Sequence, residues 1–304
     1  MKKLLVINAD DLGYSVERDK GIIECYKSGV VTSASLMVNG ESAQFASHAA
    51  KEAGFKIGLH FNITEGKPLS NESEVKSLLN HNGSFISKGE LFQRASEKIV
   101  DLRKVRLELE RQIERFEELM GYLPVHVDGH QHCHILPGIR ELFAEVLSEK
   151  GIKVTRVPFE KLTPGHPWPD QMIRSFMGEV VNHAVAAREV YKQKGIWCSD
   201  GYFGLETMGS DFNSPMTADI LIKGINSVFT QLEQAKPSKG YVSCELMTHP
   251  GYRTGEVGGC GEGPDSFSQS EDRETEMAVL SSKEFRRVYE EGDIQLVSFL
   301  ECVQ

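Results

Sequence analysis

The stretch VINADDLGYS, Val6 to Ser15, decides how the chain is read. Leu4 to Ala9 form a short apolar run of the kind buried in a parallel sheet, and the run ends in two adjacent carboxylates, Asp10 and Asp11, just before Gly13. A helix cap explains one of the acids, because an Asp ahead of a helix accepts backbone N–H bonds and suits the helix dipole. It leaves the second unexplained, since neighbouring carboxylates raise each other's pKa unless a cation lies between them. A divalent ion would let one ligate and the other stay free as a base. Parallel α/β proteins collect catalytic groups at the C-terminal ends of their strands, which is where this doublet falls.

The same pattern recurs outward from it. Apolar β-branched runs near 4–9, 31–37, 56–61, 124–128, 152–156, 196–199, 240–247 and 294–298 alternate with segments of helical period near 16–29, 42–53, 98–121, 137–150, 170–194, 216–236 and 281–292. This βαβα alternation predicts an α/β fold, a TIM-like (β/α) barrel of about seven to eight parallel strands, regular or distorted. No boundary interrupts residues 1–304, so a single domain is expected. The clearest helix covers 98–121, where Leu102, Val105, Leu109, Ile113, Phe116 and Leu119 recur at helical spacing before Gly121 and Pro124 stop it. The last one opens with SSKE, which predicts a capping box on Ser281. The long connections 62–90 and 250–280 are expected to be active-site loops, with GGCGEGP (Gly258–Pro264) a flexible lid.

Composition removes several classes of function. A net charge of −10 disfavours nucleic acid, which needs a basic footprint, and points to a small substrate. No apolar run approaches the roughly 18 residues of a membrane span. The six cysteines contain no CxxC pair, so a reduced, cytoplasmic protein is expected. A homodimer is the expected assembly, being the commonest one. No GxSxG elbow, P-loop or GxGxxG fingerprint follows a strand.

The chemistry-bearing residues sit at predicted strand ends. His60 closes KIGLH, His249 closes VSCELMTH, and HVDGHQHCH holds His126, Asp128, His130, His132 and His134 within nine residues. A lone buried histidine is more often a hydrogen-bonded core residue than a ligand. Five ligand-type groups in one strand-end segment reverse that weighting and point to a metal site, with one or two of them orienting the ligands. His249, with Pro250 and Gly251 forcing a turn after it, is a candidate acid or base.

These segments resemble the YdjC-like family of carbohydrate deacetylases, whose best-known members act on chitooligosaccharides. The resemblance is carried by NADDLGYS, SGVVTSASLMVNG (Ser28–Gly40), GLHFNITEGKPLS (Gly58–Ser70), HVDGHQHCHILP (His126–Pro137) and MTHPGY (Met247–Tyr252), in that order. It implies a divalent metal on Asp11, His60 and His130, with Asp10 as catalytic base and His249 as general acid. Asp128 and His132 are expected behind the ligands. Adjacent residues leaving a strand point to opposite sides, so the division between Asp10 and Asp11 rests on the resemblance. Magnesium is the family expectation, whereas two imidazoles and a carboxylate suit Zn(II) or another transition metal better. A small amino-sugar oligosaccharide would be the substrate, with Phe61 and Tyr252, beside Tyr14 and Trp168, either stacking on it or packing under loops, and with Arg156 at the rim either contacting a substrate oxygen or pairing with a neighbouring acid. The alternatives are another metallohydrolase, either an amidohydrolase or a phosphoesterase, and a non-catalytic sugar-binding relative.

Overall fold

The computed structural model describes residues 1–303. Its elements follow the alternation read from the sequence: β1 (Lys2–Leu12), α1 (Val16–Lys27), β2 (Ser33–Leu36), α2 (Ala43–Glu52), β3 (Gly58–Phe61), α3 (Glu72–Val75), α4 (Lys88–Ser96), α5 (Leu102–Met120), β4 (Val127–Gly129) and α6 (Ile139–Lys150). The second half holds α7 (Gln171–Gln193), β5 (Gly201–Phe203), α8 (Ala218–Ala235), β6 (Tyr241–Thr248), α9 (Ser266–Gln269), α10 (Asp272–Ser281), α11 (Lys283–Glu290), β7 (Ile294–Leu296) and α12 (Phe299–Cys302).

All the strand pairings are parallel, in the order β4-β3-β2-β1-β6-β5, with β7 pairing the first half of β1 through Lys3–Leu5. The fold is therefore α/β with a curled parallel sheet, not a regular TIM barrel of seven to eight full strands. The expected strand at 152–156 is reduced to single bridges, Val127↔Thr155 and Val154↔Trp197. The Arg156 side chain at its end is drawn inward. The strand expected at 196–199 keeps only the Trp197 bridge, and its ladder forms four residues later as β5, because Asp200 accepts from the backbone N–H and hydroxyl of Ser243.

β1 is the central strand, and its apolar residues from Leu5 onward are fully buried between β2 and β6. On α5, Val105, Leu109, Ile113 and Phe116 pack inward as the period predicts. Two polar residues of that helix are also buried and pin the loop after β3. Glu108 accepts from the backbone N–H of Leu69 and Ser70, and Gln112 both accepts from Asn62 N–H and donates to its carbonyl. Gly58 opens β3 because the His126 ring lies where a Cβ would stand, 2.3 Å from it. Among the described residues no helix is long and apolar enough to cross a membrane. All six cysteines are unpaired.

The sequence placed one helix over 281–292, but α10 runs through Ser281 and a new helix starts after it. The cap is Ser282, whose hydroxyl accepts from Phe285 N–H. Ser282→Ala should therefore lower the unfolding free energy by about 1 kcal/mol in urea titrations, while Ser281→Ala should stay within about 0.5 kcal/mol of the wild type.

Candidate active site

The Asp10–Asp11 doublet lies in a bulge. Between Ala9 and Leu12 the chain advances three residues while β2 advances two, from Ala34 to Leu36, so β1 carries one extra residue here. Asp11 takes φ 63°, a left-handed conformation that Asp tolerates better than most side chains, and Gly13 follows at φ 94°. The buried Asp19 carboxylate accepts from Gly13 N–H at 2.6 Å and fixes the turn. The result is that both acids of the doublet reach the same imidazole. Nε2 of His60 is 3.5 Å from Asp11 Oδ1 and 3.8 Å from Asp10 Oδ2.

Three of the expected ligands converge. Nδ1 of His130 lies 3.1 Å from the same Asp11 oxygen, and the two imidazoles meet nearly edge-on. Ligand atoms bound at about 2.1 Å to one ion stand about 3 to 3.5 Å apart, so Asp11, His60 and His130 fit a divalent cation by spacing and by donor type. Each histidine turns its other nitrogen to a carboxylate: His60 Nδ1 is 2.6 Å from Asp128 Oδ1, and His130 Nε2 is 2.9 Å from Glu65 Oε2. That is how ligating histidines are oriented and made more basic. A second set, Asp10, His60 and Asp128, also lies close together, but its acids are already engaged with Arg156 and with the His60 ring.

Electrostatics agree with the geometry. Burial alone would raise the Asp11 carboxyl, but the His130 hydrogen bond and the nearby imidazoles outweigh it and hold Asp11 well below the usual range. Burial would lower His130, yet Asp11 and Glu65 lift it to about 10. For Asp128 the burial penalty is overcome by Arg156 and His60, again far below a free carboxylate.

Arg156 is fully buried and is no rim contact for substrate; it pairs with acids, the other role the sequence left open. Its NH1 and NH2 donate to Oδ2 and Oδ1 of Asp10 at 2.5 and 2.6 Å, its Nε donates to Glu245 at 2.6 Å, and NH2 lies 3.1 Å from Asp128. Asp10 also accepts from Asn8 Nδ2. Phe61 is likewise no substrate platform: it is fully buried against Phe143. Tyr252 points away, with its hydroxyl donating to Glu24, and Trp168 packs on His166. Of the four aromatic candidates only Tyr14 lines the pocket over the metal donors.

The remaining members of HVDGHQHCH divide their work. His126 Nε2 lies 3.0 Å from Ser35 Oγ, which donates to Asp128. His134 Nε2 meets the Arg156 carbonyl. His132 does not contact the ligands' outer nitrogens; it lines the pocket at a left-handed φ of 60°, and burial with the Arg156 charge keeps it neutral. His249 also lines the pocket, edge-on to Phe267. Its N–H donates to Glu276 and its carbonyl accepts from Arg18, which lies 3.8 Å from Asp11 Oδ2. Burial holds the His249 imidazole at about 3, against the pull of Asp11 and Asp10.

Several residues of the site carried no sequence signal. Glu65, Ser35 and Glu245 sit one each in a loop, a short strand and a long strand with nothing to mark them. The apolar walls come from α7 through Phe176, from the connection between β5 and α8 through Leu205, Met208 and Phe212, and from the connection after β6 through Phe267. The GGCGEGP loop is not free: Gly259 N–H donates to Tyr14, Glu41 N–H to Gly259, and Lys67 N–H to Cys260.

The sequence model described as YdjC-like protein matches residues 4–291. A carbohydrate deacetylase of Xenopus laevis is 41% identical over 298 residues, covering 97% of this chain and 96% of its own. A chitooligosaccharide deacetylase of Proteus mirabilis is 29% identical over 307 residues, covering both chains completely. The crystal structure of an Enterococcus faecalis V583 protein, provisionally described as a cellobiose-phosphate cleavage protein, superposes with a TM-score of 0.71 at 22% identity over 99% of each chain, which shows a shared fold.

Removing Arg156 would leave three buried carboxylates without their cation. Arg156→Met should lower the unfolding free energy by about 3–5 kcal/mol at pH 7. The deficit, followed by urea titration at several pH values, should shrink as the pH falls, beginning with Glu245, whose carboxyl burial holds at about 7 even against the pull of Arg156.

Proposed function

The chain belongs to the YdjC-like protein family, and from that premise we propose that it is a metal-dependent carbohydrate deacetylase that removes N-acetyl groups from amino-sugar oligosaccharides. The observation that carries the reading is the Asp11–His60–His130 donor set beside an Arg-clamped Asp10 and a buried His249, all in one apolar-walled pocket. The activities by which the Xenopus laevis and Proteus mirabilis relatives are named support it. A phosphoester substrate has little support, since Lys88 is the pocket's cation and Arg156 is occupied.

Asp11, His60 and His130 would hold the metal, which when bound polarises the acetyl carbonyl and makes water acidic near neutral pH. Asp10, with both oxygens fixed by Arg156 and one also by Asn8, is positioned as the base that takes a proton from the attacking water. His249 serves as the acid for the leaving amine. Because burial keeps it neutral at rest, the proton it delivers must be one released earlier in the same turnover. Tyr14, Phe176, Phe212 and Phe267 give the sugar apolar faces to lie against. Two imidazoles and a carboxylate favour zinc or another transition metal over magnesium. Six unpaired cysteines fit a reducing compartment such as the cytoplasm.

Acetate should appear when the protein is incubated with N-acetylglucosamine oligomers, whereas a generic phosphate ester should release no phosphate. Asp10→Asn should reduce acetate release by about 10²–10⁴-fold with bound metal largely intact, and His130→Ala should lose both. An active Asp10→Asn enzyme overturns the base assignment. Elemental analysis of protein purified without added ions should find zinc or another transition metal near stoichiometry; an ion-free, fully active protein would sink the mechanism.

A further inference from the structure

We propose that the groove between α4 and the start of α7 binds the sugar units of the oligosaccharide beyond the one being deacetylated. This inference rests on the deacetylase reading and extends it to a surface outside the metal pocket. The two spaces are continuous, sharing Lys88, Phe176 and Phe212 as walls. They differ in size: the pocket over the metal donors holds about 110 Å³, whereas the groove holds about 950 Å³, at the upper end of sites for small ligands. A single acetamido sugar at the metal leaves that second space unused.

The groove's chemistry fits a neutral sugar chain. Its floor is apolar, with Phe92 packed on Phe176 at 5.0 Å and Lys88 Nζ over the same ring at 5.0 Å. Its rim offers neutral hydrogen-bonding groups, among them Gln93, Ser96 and Gln171. Pyranose rings present C–H faces to aromatics and hydroxyls to amides, so both surfaces are matched at once. Glu97 and Glu179 line it too, which disfavours an anionic occupant. Met172, 78% exposed at the groove's edge, is the position a second copy of the chain would cover instead.

The test uses the full chain with its metal and compares N-acetylglucosamine with its disaccharide and tetrasaccharide. The value of kcat/KM should rise with length by about tenfold or more, because binding at a remote subsite is realised at the reacting centre. Gln93→Trp, which fills the groove, should remove about three- to tenfold of that gain on the tetrasaccharide while leaving the monosaccharide rate within about twofold. Calorimetry of tetrasaccharide binding to Asp10→Asn protein should show the same loss when Gln93→Trp is added. Acetate release equal at all lengths, or a Gln93→Trp effect that is the same on every substrate, overturns the groove and leaves the deacetylase reading standing. Groove-dependent tetrasaccharide binding with no acetate from any length overturns the deacetylase reading and leaves the groove standing. A dimer in sedimentation that Met172→Glu dissolves overturns the groove as a sugar site.

Discussion

One buried guanidinium holds the site to the sheet. Arg156 follows the single bridges at Val154 and Thr155 and touches Asp10 on β1, Asp128 on β4 and Glu245 on β6. In the strand order, β4 and β1 are separated by β3 and β2. Laid flat at about 4.8 Å per strand, they would stand about 14 Å apart, beyond the reach of one side chain to both. The contact exists because the sheet curls, and the curl leaves a polar interior that needs a cation. Burying charge is costly and is offset only when every partner is bonded. A planar group with its donors in a fixed fork meets that condition where a lysine would leave two of the acids short.

The β1 bulge does the complementary work. A regular strand alternates its side chains, so consecutive acids would face opposite ways. The extra residue between Ala9 and Leu12, with Asp11 at φ 63°, cancels that alternation and brings both carboxylates toward His60 Nε2. They are then separated by their partners: Asp10 is bound by Arg156, and Asp11 is left facing His130. The electrostatic tension of the doublet is resolved by geometry before any ion is considered.

This explains what could be read from the sequence and what could not. The parallel alternation and the inner face of α5 were legible because periodicity is strong in long elements, and the gathering of ligand-type residues at strand ends was legible because such types are few, whereas the choice of Asp11, His60 and His130 among them came from the family resemblance. The roles of Asp10 and Asp11 were not, since a bulge leaves no mark on hydropathy. The burial of Arg156 was missed for a related reason, although its pairing with an acid was one of the two roles left open. An arginine at a strand end suggests an exposed rim, and only the partners brought from β1, β4 and β6 make burial favourable. Phe61 and Tyr252 were placed by closeness in sequence to the ligands, yet β3 sends Phe61 into the core and the turn after His249 sends Tyr252 to Glu24. The aromatic walls come from segments far along the chain, with no pattern of their own.

The two candidate-ligand histidines also constrain each other. His60 on β3 is oriented by Asp128 on β4, while His130 at the end of β4 is oriented by Glu65 in the loop after β3. Each strand thus supplies one imidazole and receives the carboxylate that aims it. His60 and Asp128 are direct partners in the β3–β4 register, so a slip of one residue would turn both side chains to the wrong face and break the pairing. The pairing of β3 with β4 is short, only three residues, and would be weakly specified by backbone bonds alone. Gly58, closed on by the His126 ring, and the crossed His–carboxylate pairs add side-chain terms that select one register. The groups that orient the candidate ligands therefore help to fix the sheet that presents them.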